Sequence, residues 1–207
     1  MDQKALHKFS YGVYIVSSCH EGKQSGCVVN TLSQVTSNPI KLSVTISKNN
    51  FTEEIIEKSG YFAAITLAQT APMDLIGEFG FKSSKNIDKF AKFHTKTDIN
   101  GIKYVTDFAA SMYSCKVINS FDLGTHVMFI GEILDSKVLS DQEVMTYSYY
   151  HKIKKGATPK NAPSYIEEPP KKGYRCTVCG YILESHTIPN DFICPICGVD
   201  RDKFIKL

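Results

Sequence analysis

The sequence predicts a mainly β fold: an antiparallel barrel with a few short helices, followed by a small module too short to fold around a core of its own. Three observations carry this. Apolar and polar residues alternate along several runs, helical signals between those runs are sparse, and four of the seven cysteines crowd into the last 35 of the 207 residues. Period-two alternation puts every second side chain on one face, which marks a strand with one buried side. A parallel sheet needs a helix between most consecutive strands, so the scarcity of helices selects antiparallel pairing. The length, one ordinary domain plus a remainder, fits the same division.

The elements follow in chain order. Residues 11–18 and 26–35 read as strands, and residues 40–47, Ile-Lys-Leu-Ser-Val-Thr-Ile-Ser, alternate without a fault. Asn50 followed by Glu53 resembles a capping box for a helix over residues 51–58, which Gly60 ends. Strands over 61–67, 112–118 and 126–134 and helices over 72–79 and 141–150 complete a first domain of residues 1–155. The segment from Gly156 to Gly173 holds four of the eight prolines, so it can neither run as a helix nor pair in a sheet. Residues 156–172 are therefore expected as an extended linker or a strap along a domain surface, leaving residues 173–207 as a second unit.

Composition excludes several classes. Hydrophobic residues at 43% and charged residues at 22% are ordinary for a globular chain. The longest uncharged run, residues 24–40, contains Ser, Asn, Thr, Gln and Pro and does not read as a membrane span. The first residues hold no apolar stretch of signal-peptide length, which points to the cytoplasm. A net charge of +3 argues for no nucleic-acid partner, and its excess lies in residues 152–172, where six lysines face two glutamates.

Cys176-Thr177-Val178-Cys179-Gly180 and Cys194-Pro195-Ile196-Cys197-Gly198 are two C-x-x-C-G units separated by fourteen residues. Two intervening residues let both thiolates of a unit reach one ion. The following glycine lets backbone N–H groups turn toward the sulfurs. Four thiolates in a tetrahedron suit Zn or Fe, and the spacing leaves a structural zinc ribbon and an iron site both open. Tyr174, Tyr181, Asp191-Phe192, Pro195 and Phe204 around these cysteines resemble rubredoxin, with a loop between the pairs about half the usual length. The resemblance implies one Fe per chain on Cys176, Cys179, Cys194 and Cys197, carrying one electron, with Cys179-Gly180 and Cys197-Gly198 nearest solvent. Zinc enters such a site where it is the abundant soft ion. A unit this small takes much of its stability from the metal.

The first domain has no G-x-G-x-x-G after a strand and no P-loop. Residues 26–36 are rich in hydroxyls and amides, and Ile46-Ser47-Lys48-Asn49-Asn50-Phe51-Thr52 stands at a predicted helix start. Such donors suit a phosphate monoester, although the same residue types also make exposed strand faces and turns. Asn-Thr-Leu-Ser-Gln-Val-Thr-Ser-Asn-Pro from Asn30, Ile-Ser-Lys-Asn-Asn-Phe-Thr from Ile46, and Phe79-Gly80 come first in a longer series. Asp88-Lys89-Phe90, Gly124-Thr125-His126 leading into Phe129-Ile130-Gly131-Glu132, and Tyr147-Ser148-Tyr149-Tyr150-His151 complete it. In this order the motifs resemble the flavin reductase-like family, which implies an FMN-binding split barrel and a homodimer. The whole chain resembles the high-molecular-weight rubredoxins, in which such a domain is fused to rubredoxin.

By that resemblance Asn30, Thr31, Leu32 and Gln34 line the isoalloxazine ring, while Thr36, Ser47, Lys48, Asn50 and Thr52 hold the ribityl chain and phosphate. Tyr150 and His151 fall near a flavin edge. His126 matches the family histidine near flavin and nicotinamide and is the candidate catalytic residue; a histidine at a strand start also serves as a plain hydrogen-bonding group. Thr125 stands where the family has an acid. Cys19, Cys27 and Cys115 read as small buried hydrophobes. The implied function is electron transfer, from NAD(P)H or a rubredoxin reductase through FMN and iron to a flavodiiron protein that reduces oxygen or nitric oxide. The rivals are an NAD(P)H:flavin or ferric reductase carrying a structural zinc ribbon, and a ligand-binding barrel with the same appendage.

Overall fold

The computed structural model describes residues 5, 8–159, 162–165 and 173–207, so residues 160–161 and 166–172 of the expected linker lie outside the described residues. Seven strands form one antiparallel sheet. They are β1 (Tyr14–His20), β2 (Lys23–Val29), β3 (Ser33–Ser37), β4 (Ile40–Ser47), β5 (Tyr61–Leu67), β8 (Ala109–Asp122) and β9 (His126–Val138). A small hairpin, β6 (Thr95–Thr97) with β7 (Lys103–Val105), stands apart from it. The helices are α1 (Phe51–Ser59), α2 (Met73–Phe81) and α3 (Tyr147–Lys152).

The strand order β2-β1-β5-β8-β9-β4-β3 puts β2 and β3 at opposite edges. Only residues 30–32 join them. Laid flat, seven strands would hold the edges about 29 Å apart, whereas that connection spans at most about 14 Å. The sheet must therefore curl until its edges nearly meet, which gives the expected nearly closed barrel. Twelve buried side chains, including Val16, Val44, Ile46, Phe62 and Phe129, fill its interior. A second cluster of fifteen, among them Leu75, Ile76, Phe79, Phe90 and Met112, seals it under α2 and α3.

Two sequence expectations change. The run over 26–35 is two strands, because at residues 30–32 the chain leaves one sheet edge for the other, with the Thr31 hydroxyl donating to the Thr45 carbonyl at 2.6 Å. The helix expected over 141–150 begins only at Tyr147, where Thr146 caps it by accepting from the Tyr149 N–H. The preceding residues are held extended by bonds from the Gln69 N–H to the Glu143 carbonyl and from the Met145 N–H to the Leu67 carbonyl. Helix α1 and its Gly60 stop at φ 72° match their reading, but the cap is simpler than a capping box: the Asn50 side chain accepts from the Thr52 N–H, while the Asn50 N–H goes to the Ser47 carbonyl at 2.9 Å and not to Glu53.

The C-terminal residues make a three-stranded sheet, β11 (Ile182–Leu183), β10 (Tyr174–Cys176) and β12 (Phe204–Lys206), in that order. Phe204 packs edge-on against Phe192 and Tyr181, giving the expected small aromatic core. No helix among the described residues is long and apolar enough to cross a membrane.

Candidate functional site

A cavity of about 300 Å³ opens where six elements converge. The end of β2 and the link after it supply Val28, Asn30 and Thr31; β4 supplies Thr45 and Ser47. The start of α1 adds Asn49, Asn50 and Phe51, so the positive end of a nine-residue helix borders the space. The end of α2 adds Ile76, Gly80 and Phe81, followed by Lys82 and Ser83, and the start of β9 adds His126. The last wall is α3 with the segment after it: Tyr147, Tyr150, Ala157, Pro159, Ala162 and Pro163.

This last wall is a strap. Ser164 accepts from the Asn30 side-chain amide at 3.1 Å and lies 2.9 Å from the Tyr147 hydroxyl, which also meets Thr158 at 2.8 Å. The Tyr150 hydroxyl donates to the Ala157 carbonyl at 2.8 Å. Burial, with Tyr147 and Cys179 nearby, pushes the Tyr150 phenol above its usual range, so it stays a donor. The Thr125 hydroxyl lies 2.8 Å from Nδ1 of the half-buried His126.

Of the sequence candidates, Asn30, Thr31, Ser47, Asn50, His126 and Tyr150 come together on this cavity. Six others lie outside its lining. Leu32 is buried in the barrel core, and Gln34 and Thr36 sit on exposed β3, bonded to the carbonyls of Thr36 and Pro39. Thr52 is fully buried against the Ser25 hydroxyl at 2.9 Å. Lys48 is exposed and held by Asp122 at 2.7 Å. His151 turns Nδ1 to the Gly156 carbonyl at 2.9 Å.

Lys82, Ser83, Phe81 and the strap are wall residues that the motifs did not mark. Lys82 is steadied by Glu78, 2.8 Å away and 3% exposed. Burial opposes ionisation of Glu78, but hydrogen bonds from Lys82 and Lys92 outweigh it and hold the carboxyl below its usual range. The proline content of the strap was the available signal; no pattern announced Lys82. Cys27 and Cys115 are buried, and burial together with Asp98 pushes the Cys115 thiol up to about 12, so both are inert at neutral pH.

The second site is the sulfur cluster. The Sγ atoms of Cys176, Cys179, Cys194 and Cys197 all lie within 4.8 Å of one another, with Cys176–Cys197 at 3.7 Å and Cys179–Cys194 at 3.5 Å. Four sulfurs at about 2.3 Å from one ion would be about 3.8 Å apart, so the cluster fits a tetrahedral metal. Gly180 and Gly198 take φ of 81° and 70°, which turns the chain back over the sulfurs. Backbone N–H groups of Tyr181, Ile196 and Val199 point at Cys179, Cys194 and Cys197 and favour thiolates.

All four cysteines are buried, with Cys179 and Cys197 at 3% and 5% nearer solvent than Cys176 and Cys194 at 1% and 2%, the order expected. On the side of α2, Met73 and Phe81 pack against the cysteine cluster, and Gly77 between them lies beneath the Ile196 carbonyl. Phe81 therefore touches both sites, lining the cavity and packing on the cysteine cluster.

Known proteins match both halves. Residues 6–157 match the model of the flavin reductase like domain, and residues 174–205 match the rubrerythrin, rubredoxin-like domain. The chain is 38% identical to the high molecular weight rubredoxin of Moorella thermoacetica, covering 100% of both chains. It is 42% identical to a ferric-chelate reductase (NAD(P)H) of Archaeoglobus fulgidus, over 81% of this chain and 99% of that one. The crystal structure of flavoredoxin from Methanosarcina acetivorans shares the fold at a TM-score of 0.58 and 20% identity, over 63% of this chain and 70% of that one.

Proposed function

The chain belongs to the flavin reductase-like family and ends in a rubredoxin-like domain, and from this we propose that it is an electron-transfer protein holding FMN in the barrel cavity and one iron on the four cysteines. FMN supplies conversion between two-electron and one-electron chemistry, and a four-thiolate iron takes one electron at a time. The observation that carries the reading is the shared wall, since Phe81 lines the cavity and packs on the cysteine cluster. Two redox groups on either side of it exchange electrons without a protein encounter.

The residues divide the work. Asn30, Thr31 and Ser47 offer hydrogen bonds to the ring and its chain, and the α1 start with Ser83 and Lys82 receives the phosphate. Lys82 is the better placed cation for this, because it lines the cavity and Lys48 does not. His126, oriented by Thr125, faces the side from which a nicotinamide would approach. Electrons enter from NAD(P)H or a rubredoxin reductase and leave to a flavodiiron protein. Residues 1–155, 156–172 and 173–207 serve as flavin domain, strap and iron domain. Exposed Val35, Ile40, Ile118 and Phe121 suit a second copy of the chain as a homodimer, and the thiolate site suits the cytoplasm.

Stopped-flow reduction of the flavin in the loaded protein tests this. The iron chromophore should bleach after the flavin, and Lys82→Ala should weaken FMN binding about tenfold while Lys48→Ala leaves it within about twofold. A wild-type chromophore that stays oxidised sinks the reading. The 42% identity to the ferric-chelate reductase favours one rival, a reductase with a structural zinc ribbon. Metal analysis of protein from its native host separates the two, because zinc cannot carry the electron.

A further inference from the structure

We propose that Gly77 is a positioning residue for electron transfer: its missing side chain lets the turn that carries Cys194 and Cys197 seat its backbone on α2, the helix whose neighbouring residues Ile76, Gly80 and Phe81 line the cavity. This rests on the electron-transfer reading above. A β-carbon at position 77 would collide with the Ile196 carbonyl oxygen and lie 3.5 Å from the Cys197 α-carbon. The clash is with backbone, which cannot swing aside as a flexible side chain would.

The position is otherwise a poor place for glycine. Gly77 is buried in the middle of α2, where glycine is less favourable than alanine, and no positive φ requires it there. Around the helix axis Leu75 and Phe79 face the barrel core, Ile76 and Gly80 face the cavity, and Met73, Gly77 and Phe81 face the metal module. These are three adjacent stripes on one helix. The two sites thus meet along neighbouring stripes of α2, with Phe81 reaching both. The close approach also seats Cys179 and Cys197 against the barrel.

With FMN in the cavity and iron on the four cysteines, a two-electron-reduced flavin would give its electrons to the iron one at a time, each Fe(III) becoming Fe(II) and being reoxidised by an acceptor protein before the next, while the flavin N–H bonds break and their protons go to solvent.

Gly77→Ala in the full, loaded chain tests the proposal, since alanine favours the helix and leaves the barrel folded. Flavin content and the rate of flavin reduction by dithionite should stay at wild-type values. Bleaching of the iron by reduced flavin should slow at least about tenfold. In the zinc-loaded chain, the NMR cross-peaks between Gly77 and the Ile196–Cys197 segment should be present in the wild type, and the Gly77→Ala variant should show none from the substituted position. Met73→Glu, outside the cavity, puts a carboxylate against the same thiolate cluster and should slow bleaching as well. Wild-type bleaching in both variants overturns the role of Gly77 and leaves the function standing. A wild-type chain that keeps the cross-peaks but never bleaches removes the function itself, and this proposal with it.

Discussion

The barrel and the metal module keep their shapes by different means. The barrel closes around two apolar clusters of fifteen and twelve buried residues, while the module has one cluster of five, four of them cysteines. A core of the first kind works in any ionic or redox condition; the second is little more than a ligand set until an ion joins it. The rigid half therefore bears the cavity and the docking helix, and the half that depends on its cofactor is carried on it. One chain joins a scaffold that owes nothing to the metal with an electron carrier that owes it nearly everything.

The largest break in that comparison comes from removing the metal. Cys194→Ser, or stripping the ion by chelation, withdraws binding free energy on the order of 10 kcal/mol from the module. Strands β10 to β12 should lose their NMR dispersion while the resonances of β4 and β9 stay in place. Simultaneous loss of the barrel would show that the two halves fold as one.

The converse change acts on the barrel. Phe129, 1% exposed in its interior, should cost about 3–5 kcal/mol on replacement by alanine. The urea midpoint of the barrel should fall while metal content per folded chain stays at one. A fall in metal content at urea concentrations where the barrel is intact would contradict the division.

A smaller test concerns Lys89, the one buried cation among the described residues. Lys89 is 2% exposed, its ammonium donating to the Gly26 and Phe79 carbonyls at 2.8 and 3.2 Å. Burial lowers its pKa to about 8, with nearby Cys27 and Glu78 opposing the shift. The unfolded chain then holds this proton up to about pH 10.5, while the folded chain releases it near 8. Folding is therefore penalised in full below pH 8, and stability rises between pH 8 and 10.5 by about 3 kcal/mol. Denaturant titrations of wild type against Lys89→Met should reveal that rise as the difference between the two. Parallel curves would show that the lysine is solvated.

Much of this was legible beforehand for identifiable reasons. Residues 40–47 and 61–67 alternate or run apolar because their inner face is barrel core, and both strands match their reading to the residue. The four cysteines were legible because metal spacing is a local property of the chain. Sequence could not tell that Leu32, Thr52 and Lys48 turn away from the cavity that Asn30 and Asn50 line, since that depends on how strand ends and a helix meet in space. Lys82 was hidden for the same reason: it joins the site only because α2 ends there. Cys179 and Cys197 are the least buried of the four cysteines, as expected, but the sequence could not show that α2 packs against the cluster.

The stripe formed by Met73, Gly77 and Phe81 has a consequence for solubility. A barrel without its C-terminal module would turn two large apolar side chains and a bare stretch of helix toward water. The electron carrier thus doubles as the cover of an adhesive surface, and whatever lifts it from the helix also makes the barrel sticky.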